Sequence, residues 1–584
     1  MTDGMLHSLD ILAGIESHVD RLRMLGRYHG PDRPLDTDYV ITDTRLGCGH
    51  QGSVMLATRK DFPAYKVAVK CFFLEGLSRR KRAKLTSEVQ IHLCMDHPHI
   101  ARLIEVYESA ERLDLVMECM EGGELFERVR SQGQHSELAA AAITRQVLLA
   151  LNYMHSRGVV HRDLKLENIL FASQDRDDLK LIDFGFSKFR DRFEKMKTDC
   201  GTLSYIAPEV LAHDYTSQCD MWSLGVIVFI LLSGKMPFYG PDSEQIQNIK
   251  VGSFVMRPDV WNRISSQASD FVRSLLELDP NRRLSSNKAL AHAWLKQRAP
   301  RPNDVKLHPS TVQALCGSVV ASKVQLRCRS IVAGMVPHED QASAARIFKA
   351  LDADDEGRIT LRDLQHALGV FQVPQEEILQ VFRALSHDKD EIQYSDFLAA
   401  VLGTDIPWRD DVLHITFRKF DPENSGQMSA SELWKELGEE GLDAVGIAPG
   451  ERLTGTITYA DFEACVSGGR AARQEQDEKE IDAIQLQPSH SHILDHRHRK
   501  PSSLRASVRG LSNDLPVLLP PVPHSAQAAR GCCHPFSTAH KGRAQEVAAS
   551  SDGSNDSVVA LGKKAGLLER RQPRQADHAC CVAM

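Results

Sequence analysis

The sequence predicts a mixed chain: an α+β unit first, an all-α unit of repeated helix–loop–helix modules second, and a long polar tail last. Three observations predict it. From Tyr39 to about Leu295, β-branched strand patterns alternate with helical patterns, and dense Gly and Pro punctuation falls between them. From about His338 to Ser467 a helix, loop, helix pattern recurs, with loops beginning near Asp352, Ser386, Asp421 and Gly450, roughly 30 to 36 residues apart. After Gly468 the periodicity is lost, and Ser, His, Pro, Gln and Arg dominate, a composition that predicts disorder. At 584 residues the chain has room for about four domain-sized units.

The expected boundaries are an N-terminal extension over 1–37, the α+β unit over 38–296, a connector with one helical segment over 297–337, the repeats over 338–467 and the tail over 468–584. Lys and Arg number 71 against 78 Asp and Glu, a net charge of −7, so nothing global points to nucleic acid. The 13 cysteines are scattered and no charged-then-apolar leader precedes the first unit, so a cytoplasmic chain without disulfides is expected. The longest apolar run, Leu224 to Leu232, is roughly half of what a membrane-crossing helix needs.

Within the first unit, Leu46 to Val54 reads LGCGHQGSV, which places Gly47, Gly49 and Gly52 between two strands. A dinucleotide-binding loop would open a helix at this point. Here a second strand follows and ends in VAVK at Lys70, an arrangement suited to closing glycine backbone over a triphosphate with a lysine on its oxygens. The helical run from Arg79 to Cys94 offers Glu88 as an ion-pair partner for Lys70. Val160 to Leu170 reads VHRDLKLENIL, and Leu181 to Lys188 reads LIDFGFSK. With these motifs, residues 39 to 295 resemble the eukaryotic protein kinases.

The resemblance implies a bilobal protein kinase fold and a set of roles. Asp163 would accept the proton of the substrate hydroxyl, Lys165 would steady the moving phosphoryl group, and Asn168 and Asp183 would bind magnesium. ATP would lie among Leu46, Gly47, Gly49, Gly52, Val54, Ala68 and Lys70. Met117 would be the gatekeeper, Glu118 to Met120 the hinge on the adenine, and Glu124 a residue for the ribose or for a substrate arginine. Glu209 of Ala207-Pro208-Glu209 would pair with Arg283. Lys165 and Gly201-Thr202 resemble serine/threonine enzymes, Glu124 and Glu167 resemble basophilic ones, and Arg162 implies an anion in the activation segment, with Thr198, Asp199 and Glu194 all open as its source.

A calcium loop needs oxygens at positions 1, 3, 5, 7, 9 and 12, glycine at 6 and an apolar residue at 8. Loop one offers Asp352, Asp354, Glu356, the Arg358 carbonyl and Asp363, with Gly357 and Ile359 in place. Loop three offers Asp421, Glu423, Ser425, the Gln427 carbonyl and Glu432. Loop two lacks the glycine and one residue, and loop four begins Gly450, Arg452, Thr454, so both are expected to be partners without metal. The module is thus expected to be an all-α calmodulin-like domain of four EF-hands.

Kinase, connector and four EF-hands in that order resemble the calcium-dependent protein kinases of plants and protists over residues 39 to 467. Between the two units, Val324, Cys328, Ile331, Val332 and Met335 form an apolar helical stripe beside Lys323, Arg327 and Arg329, a calmodulin-target pattern. The expected function is a calcium-activated serine/threonine kinase using ATP, Mg2+ and Ca2+ on protein substrates, with this helix obstructing the cleft until the calcium-loaded EF-hands take it. An inert kinase fold serving as a calcium-sensing scaffold, and an active kinase with calcium-insensitive EF-hands, stay open as alternatives. Cys581-Val582-Ala583-Met584, beside Cys580 and upstream basic residues, reads as a prenylation sequence and predicts membrane attachment.

Overall fold

The computed structural model describes residues 27–49, 52–185, 187–189, 202–298, 307–321, 323–387, 389–404, 409–421, 425–429 and 456–467. The expected tail, its terminal Cys581, Thr198 of the activation segment, and Glu423, Glu432 and the first half of loop four lie outside these residues.

Six strands form the first sheet: β1 (Tyr28–His29), β2 (Tyr39–Gly49), β3 (Gly52–Arg59), β4 (Lys66–Phe73), β5 (Leu103–Glu108) and β6 (Arg112–Glu118). Their order is β1-β5-β6-β4-β3-β2, antiparallel except for β1 on β5. The N-terminal extension therefore reaches the sheet edge, through a pairing of Tyr28 with Val106 that its polar sequence did not announce. Helix α1 (Arg79–Cys94), capped by Ser78, covers one face of the sheet, where Leu85, Val89 and Leu93 pack on Phe72, Val106, Leu113 and Leu115. The strands are apolar on both sides, so a second cover is required. It comes from the C-terminal module: Val67, Val69, Ile104 and Val116 share one continuous core with Val332, Met335, Phe348 and Phe417.

The second lobe is helical, with α2 (Leu125–Gln132), α3 (Glu137–Ser156), α4 (Gln218–Ser233) and α5 (Ser266–Leu275) around a single apolar core. The short strands β7 (Val159–Val160), β8 (Ile169–Phe171), β9 (Leu179–Leu181) and β10 (Lys188–Phe189) carry the loops facing the sheet. The apolar run Leu224–Leu232 lies inside buried α4. A Cβ at Gly225 would sit 2.9 Å from Leu275, so glycine sets how closely α4 approaches α5. Among the described residues no helix is long and apolar enough to cross a membrane. Glu209 and Arg283 meet as the sequence implied, with Arg283 Nη2 donating to Glu209 Oε2 at 3.0 Å.

The single helical segment expected after the connector is two helices, α6 (Pro309–Gly317) and α7 (Lys323–Met335), broken after Gly317. Among the described residues six more helices belong to the repeats: α8 (His338–Leu351), α9 (Leu361–Gly369), α10 (Gln375–Ser386), α11 (Tyr394–Val401), α12 (Asp410–Arg418) and α13 (Tyr459–Ser467). The loops pair as the position-8 residues predict. Ile359 and Ile392 exchange N–H···O bonds of 3.0 and 2.9 Å, and β11 (Gln427–Ser429) pairs antiparallel with β12 (Thr456–Thr458), Met428 opposite Ile457.

Candidate functional site

Alternating strand geometry turns Lys70 of β4 toward α1, where Glu88 waits. Lys70 Nζ lies 2.8 Å from Glu88 Oε1 and 2.9 Å from Asp183 Oδ1. Burial opposes the ammonium, but the two carboxylates more than offset it and raise the Lys70 pKa, so the lysine stays charged. Asp183 is partly buried, which opposes its charge, yet Lys70 holds its carboxyl below the usual range. The backbone at Asp183 has a φ of 62°, a left-handed conformation fastened by Gly185 N–H donating to its carboxylate at 3.2 Å.

Asp163 follows β7 in a loop that is itself held in an unusual shape. Arg162 has a φ of 68°, and both its N–H and that of His161 donate to buried Asp220, at 2.9 and 3.0 Å. Asp220 stays charged: burial would raise its pKa, but His155 and these amides lower it. Asp163 Oδ1 accepts from Thr202 N–H and Oγ1 at 3.1 Å each, while Lys165 Nζ sits 2.9 Å from Asp163 Oδ2 and 3.2 Å from Thr202 Oγ1. Asn168 gives its amide N–H2 to the Asp163 carbonyl at 2.7 Å, which turns its own carbonyl oxygen into the donor atom for a cation. Ile182 N–H donates to Asn168 O at 3.0 Å and holds Asp183 alongside. A lysine, an aligned carboxylate and two oxygen ligands thus converge, the donor set that a magnesium-bound triphosphate requires.

The remaining expected residues line the approach. Leu46, Gly47 and Gly49 lie on β2, and Gly52 and Val54 on β3, whose partner strand β4 carries Ala68 and Lys70. A Cβ at Gly52 would fall 2.3 Å from the Cys71 carbonyl, so only glycine permits this hairpin to close on β4. Met117 pairs with Ala68 on the neighbouring strand, as a gatekeeper would. Glu118 stands at the end of β6, where the hinge is expected, and its carboxylate accepts from Lys180 Nζ at 2.6 Å and Arg102 N–H at 2.7 Å, so the part of Glu118 left for a ligand is its main chain. Glu124 caps the start of α2 without a side-chain bond; burial and then the nearby Glu167 raise its pKa.

Loops one and three share one backbone pattern. Asp352 accepts from the N–H of Glu356 and Gly357 at 3.1 and 2.8 Å, and Asp421 accepts from Ser425 and Gly426 at 2.8 and 2.7 Å. The position-6 glycines have φ of 74° and 78°. Burial, with Asp354 and Asp355 adding repulsion, pushes the Asp352 carboxyl up to about 8, so a cation there relieves an existing strain. In this geometry Glu356 pairs with Arg358, and Asp363 Oδ2 caps α9 by accepting Thr360 N–H at 2.8 Å. The backbone and Asp352 fit calcium, whereas Glu356 must exchange Arg358 for the ion.

Sequence reasoning missed how these loops meet the first unit. Asp355, at a position that ligates nothing, lies 3.0 Å from Arg145 of α3, and Asn152 Nδ2 donates to its carbonyl at 2.9 Å. Gly357 packs so tightly on His97 and Tyr153 that a Cβ would come within 2.7 Å of both rings. Loop two has turned its acid outward, Glu391 lying 2.7 Å from Arg157. On the other lobe, Lys419, at the end of α12, enters a buried socket and lies 2.8 Å from Glu105 Oε1, with Tyr39 and Tyr107 on Oε2. Glu105 is the one acid at the centre of the otherwise apolar run LIEV, the only signal the sequence carried. Arg102 and Tyr65 donate to the last carbonyls of α7, Arg102 to Ala333 at 3.2 Å and Tyr65 to Met335 at 3.1 Å, matching cation and donor to a helix C-terminus.

Three histidines at this interface give it a pH dependence. Burial, followed by the cation Lys349 for His97 and His99 and Lys180 for His338, lowers all three pKa values, that of His338 to about 4. A depressed histidine contributes stability that is present above its ordinary value of about 6.5 and is lost as pH falls toward 4. Hydrogen exchange at residues 96–101 and 352–359 is therefore expected to quicken at least several-fold more between pH 7.5 and 5 than the intrinsic rate accounts for. Unchanged protection would exclude this linkage.

The comparisons with known proteins agree with the geometry. The protein kinase domain family matches residues 40–295, and the EF-hand domain pair matches residues 341–402. Calcium-dependent protein kinase 3 of Plasmodium yoelii yoelii is 33% identical over 405 residues, covering 68% of this chain and 74% of that one. Calcium-dependent protein kinase 34 of Arabidopsis thaliana is 34% identical over 460 residues, covering 76% and 87%.

Proposed function

The chain belongs to the calcium-dependent protein kinases, serine/threonine protein kinases under calcium control, and from that premise we propose how its own residues divide the work. Asp163 accepts the proton of the substrate hydroxyl and Lys165 follows the transferred charge. Lys70, braced by Glu88, holds the α and β oxygens of ATP. Asp183 and Asn168 hold magnesium, which supplies charge neutralisation at the phosphates when bound. Glu124 and Glu167 recognise an arginine three residues before the acceptor, because a guanidinium relieves the repulsion between them.

The observation that carries the regulatory reading is the position of α7. Its C-terminal carbonyls are capped behind the hinge by Arg102 and Tyr65, and Cys328, Val332 and Met335 are buried in the core shared with the EF-hand helices. The burial is wider than the expected stripe, taking in Leu326 and Ala333, while Ile331 is only half-buried and the Val324 side chain lies outside the described residues. The described contacts of this helix lie behind the hinge and among the EF-hand helices. Calcium at loops one and three favours this arrangement, and its removal frees α7 to reach the cleft. A 100-fold change in activity needs only about 2.7 kcal/mol of differential binding.

The test uses the full chain, since deleting residues 311–584 would bare Val67, Val69 and Val116, each worth about 1.5–3 kcal/mol when buried. Phosphorylation of a serine peptide with arginine three residues upstream is expected to be about 100-fold faster in calcium than in chelator. Equal rates would refute calcium control through α7, and an equal rate on the peptide with alanine in place of arginine would refute the role of Glu124 and Glu167.

A further inference from the structure

We propose that Ser330 of α7 is phosphorylated by the enzyme itself while α7 is out of its EF-hand seat, and that the phosphate keeps α7 from returning when calcium does. This assignment rests on the reading that α7 leaves its seat for the cleft when calcium is withdrawn. Residues 327–330 are Arg327-Cys328-Arg329-Ser330, an arginine three residues before a hydroxyl, the pattern assigned above to Glu124 and Glu167. Glu167 Oε2 is buried without a hydrogen-bond partner among the described residues, so the cleft holds a carboxylate oxygen that a guanidinium would satisfy. The segment that obstructs the cleft is therefore also an acceptor for it. The same spacing occurs at Arg128 to Ser131 in α2 and at Arg383 to Ser386 in α10, but only Ser330 lies on the helix that visits the cleft.

In the seated helix this hydroxyl is withheld. Ser330 Oγ donates to Asp396 Oδ1 of α11 at 3.3 Å, and Arg329 Nε beside it donates to the Val466 carbonyl at 2.7 Å. Ser330 is half-buried, and Leu326, Cys328 and Val332 of the same helix are buried. A hydroxyl so engaged cannot also stand at Asp163. Once α7 has left, the Ser330 oxygen bonds to the γ-phosphorus of ATP, its proton passes to Asp163, and the bond from that phosphorus to the bridging oxygen breaks to release ADP. The phosphate then acts on the return. Asp396 is 6% exposed and already lies 3.4 Å from His387 Nε2. A phosphoserine carries about −1.5 to −2 charges near neutral pH, so a hydrogen-bond donor facing Asp396 is replaced by an anion in a site too closed for water to screen it. Phosphorylated α7 is thus held off α11, and the enzyme keeps a record of ATP met without calcium.

The experiment incubates the full chain with magnesium and ATP, in calcium chelator or in calcium, and reads occupancy of Ser330 by mass spectrometry. Phosphate on Ser330 is expected in chelator, at a rate independent of enzyme concentration and absent from Asp163→Asn, and slower in calcium by roughly five-fold or more. A wild-type chain that phosphorylates the arginine peptide in calcium yet carries no phosphate at Ser330 after the chelator step overturns the site and leaves the reading of the cleft standing. Equal occupancy in the two conditions overturns the protection by seating and, with it, the reading that calcium holds α7. Samples from the chelator step are then returned to calcium. Wild type is expected to reach about a fifth or less of its untreated rate, phosphatase to restore it, and Ser330→Ala to recover in full without phosphatase. Full recovery of wild type that still carries the phosphate would leave the site standing and overturn its effect on reseating.

Discussion

Asp163→Asn is expected to lower kcat by about 10²–10⁴-fold, the usual range for removing a positioned general base, with the KM for ATP little changed. The substitution keeps the shape of the side chain, and its carbonyl oxygen can still accept from Thr202, which now holds Asp163 Oδ1 through two bonds of 3.1 Å. What it loses is the negative charge beside Lys165, 2.9 Å from Oδ2, and the capacity to take the hydroxyl proton. Melting temperature should be almost unchanged, because the fold of this loop depends on the Asp220 bonds to the His161 and Arg162 amides and not on the Asp163 carboxylate. Steady-state kinetics with and without calcium decides between an enzyme and a scaffold. A variant as active as wild type would refute the assignment of Asp163, and calcium-dependent phosphorylation absent from the wild type itself would favour the scaffold.

The second large effect belongs to the socket between the first sheet and the C-terminal module. Glu105→Ala leaves the Lys419 ammonium buried without its carboxylate, and removing one partner of a buried pair costs about 3–5 kcal/mol. Burial would raise the Glu105 pKa, but Lys419 opposite holds the carboxyl well below its usual range, so the charge is present at neutral pH. The loss is expected in the docking of the module on the sheet, not in the calcium loops. The activating calcium concentration should rise and the maximal stimulated rate fall, while calcium-dependent fluorescence changes within the EF-hands persist. Glu105→Ala combined with Lys419→Met, which removes both charges and keeps an apolar stem, is expected to recover much of the loss. Failure of the double variant to improve on the single one would place the effect in the sheet itself and sink the docking role.

Much of the catalytic centre was legible because its residues are fixed by local motifs. Asp163, Lys165 and Asn168 fall within one loop, and Asp183 follows a strand that pairs with the one leaving that loop. The pairing of Lys70 with Glu88 was legible too, since a strand and the next helix can bring them together in only a few ways. The loops of the EF-hands were readable for the same reason: Asp352 and Asp421 need only the amides four and five residues on. The partners of the Glu118 carboxylate were not legible, because spacing gives the position in the hinge but not which side of the sheet the carboxylate takes. That choice belongs to Lys180 and Arg102, which arrive from other segments.

The order of units, the motif residues Lys70, Asp163, Asn168 and Asp183 and the backbone turns at Asp352 and Asp421 were therefore written in the sequence, since each belongs to a short motif whose spacing is local. The seating of the module was not. Lys419 on Glu105, Asp355 on Arg145 and Arg102 on the end of α7 join segments more than two hundred residues apart, and no local periodicity encodes which apolar face meets which. Only the folded chain decides this, because the bare outer face of the sheet and the exposed stripe of α7 are each unfavourable in water, and their burial against one another is a property of the assembled surfaces rather than of either stretch.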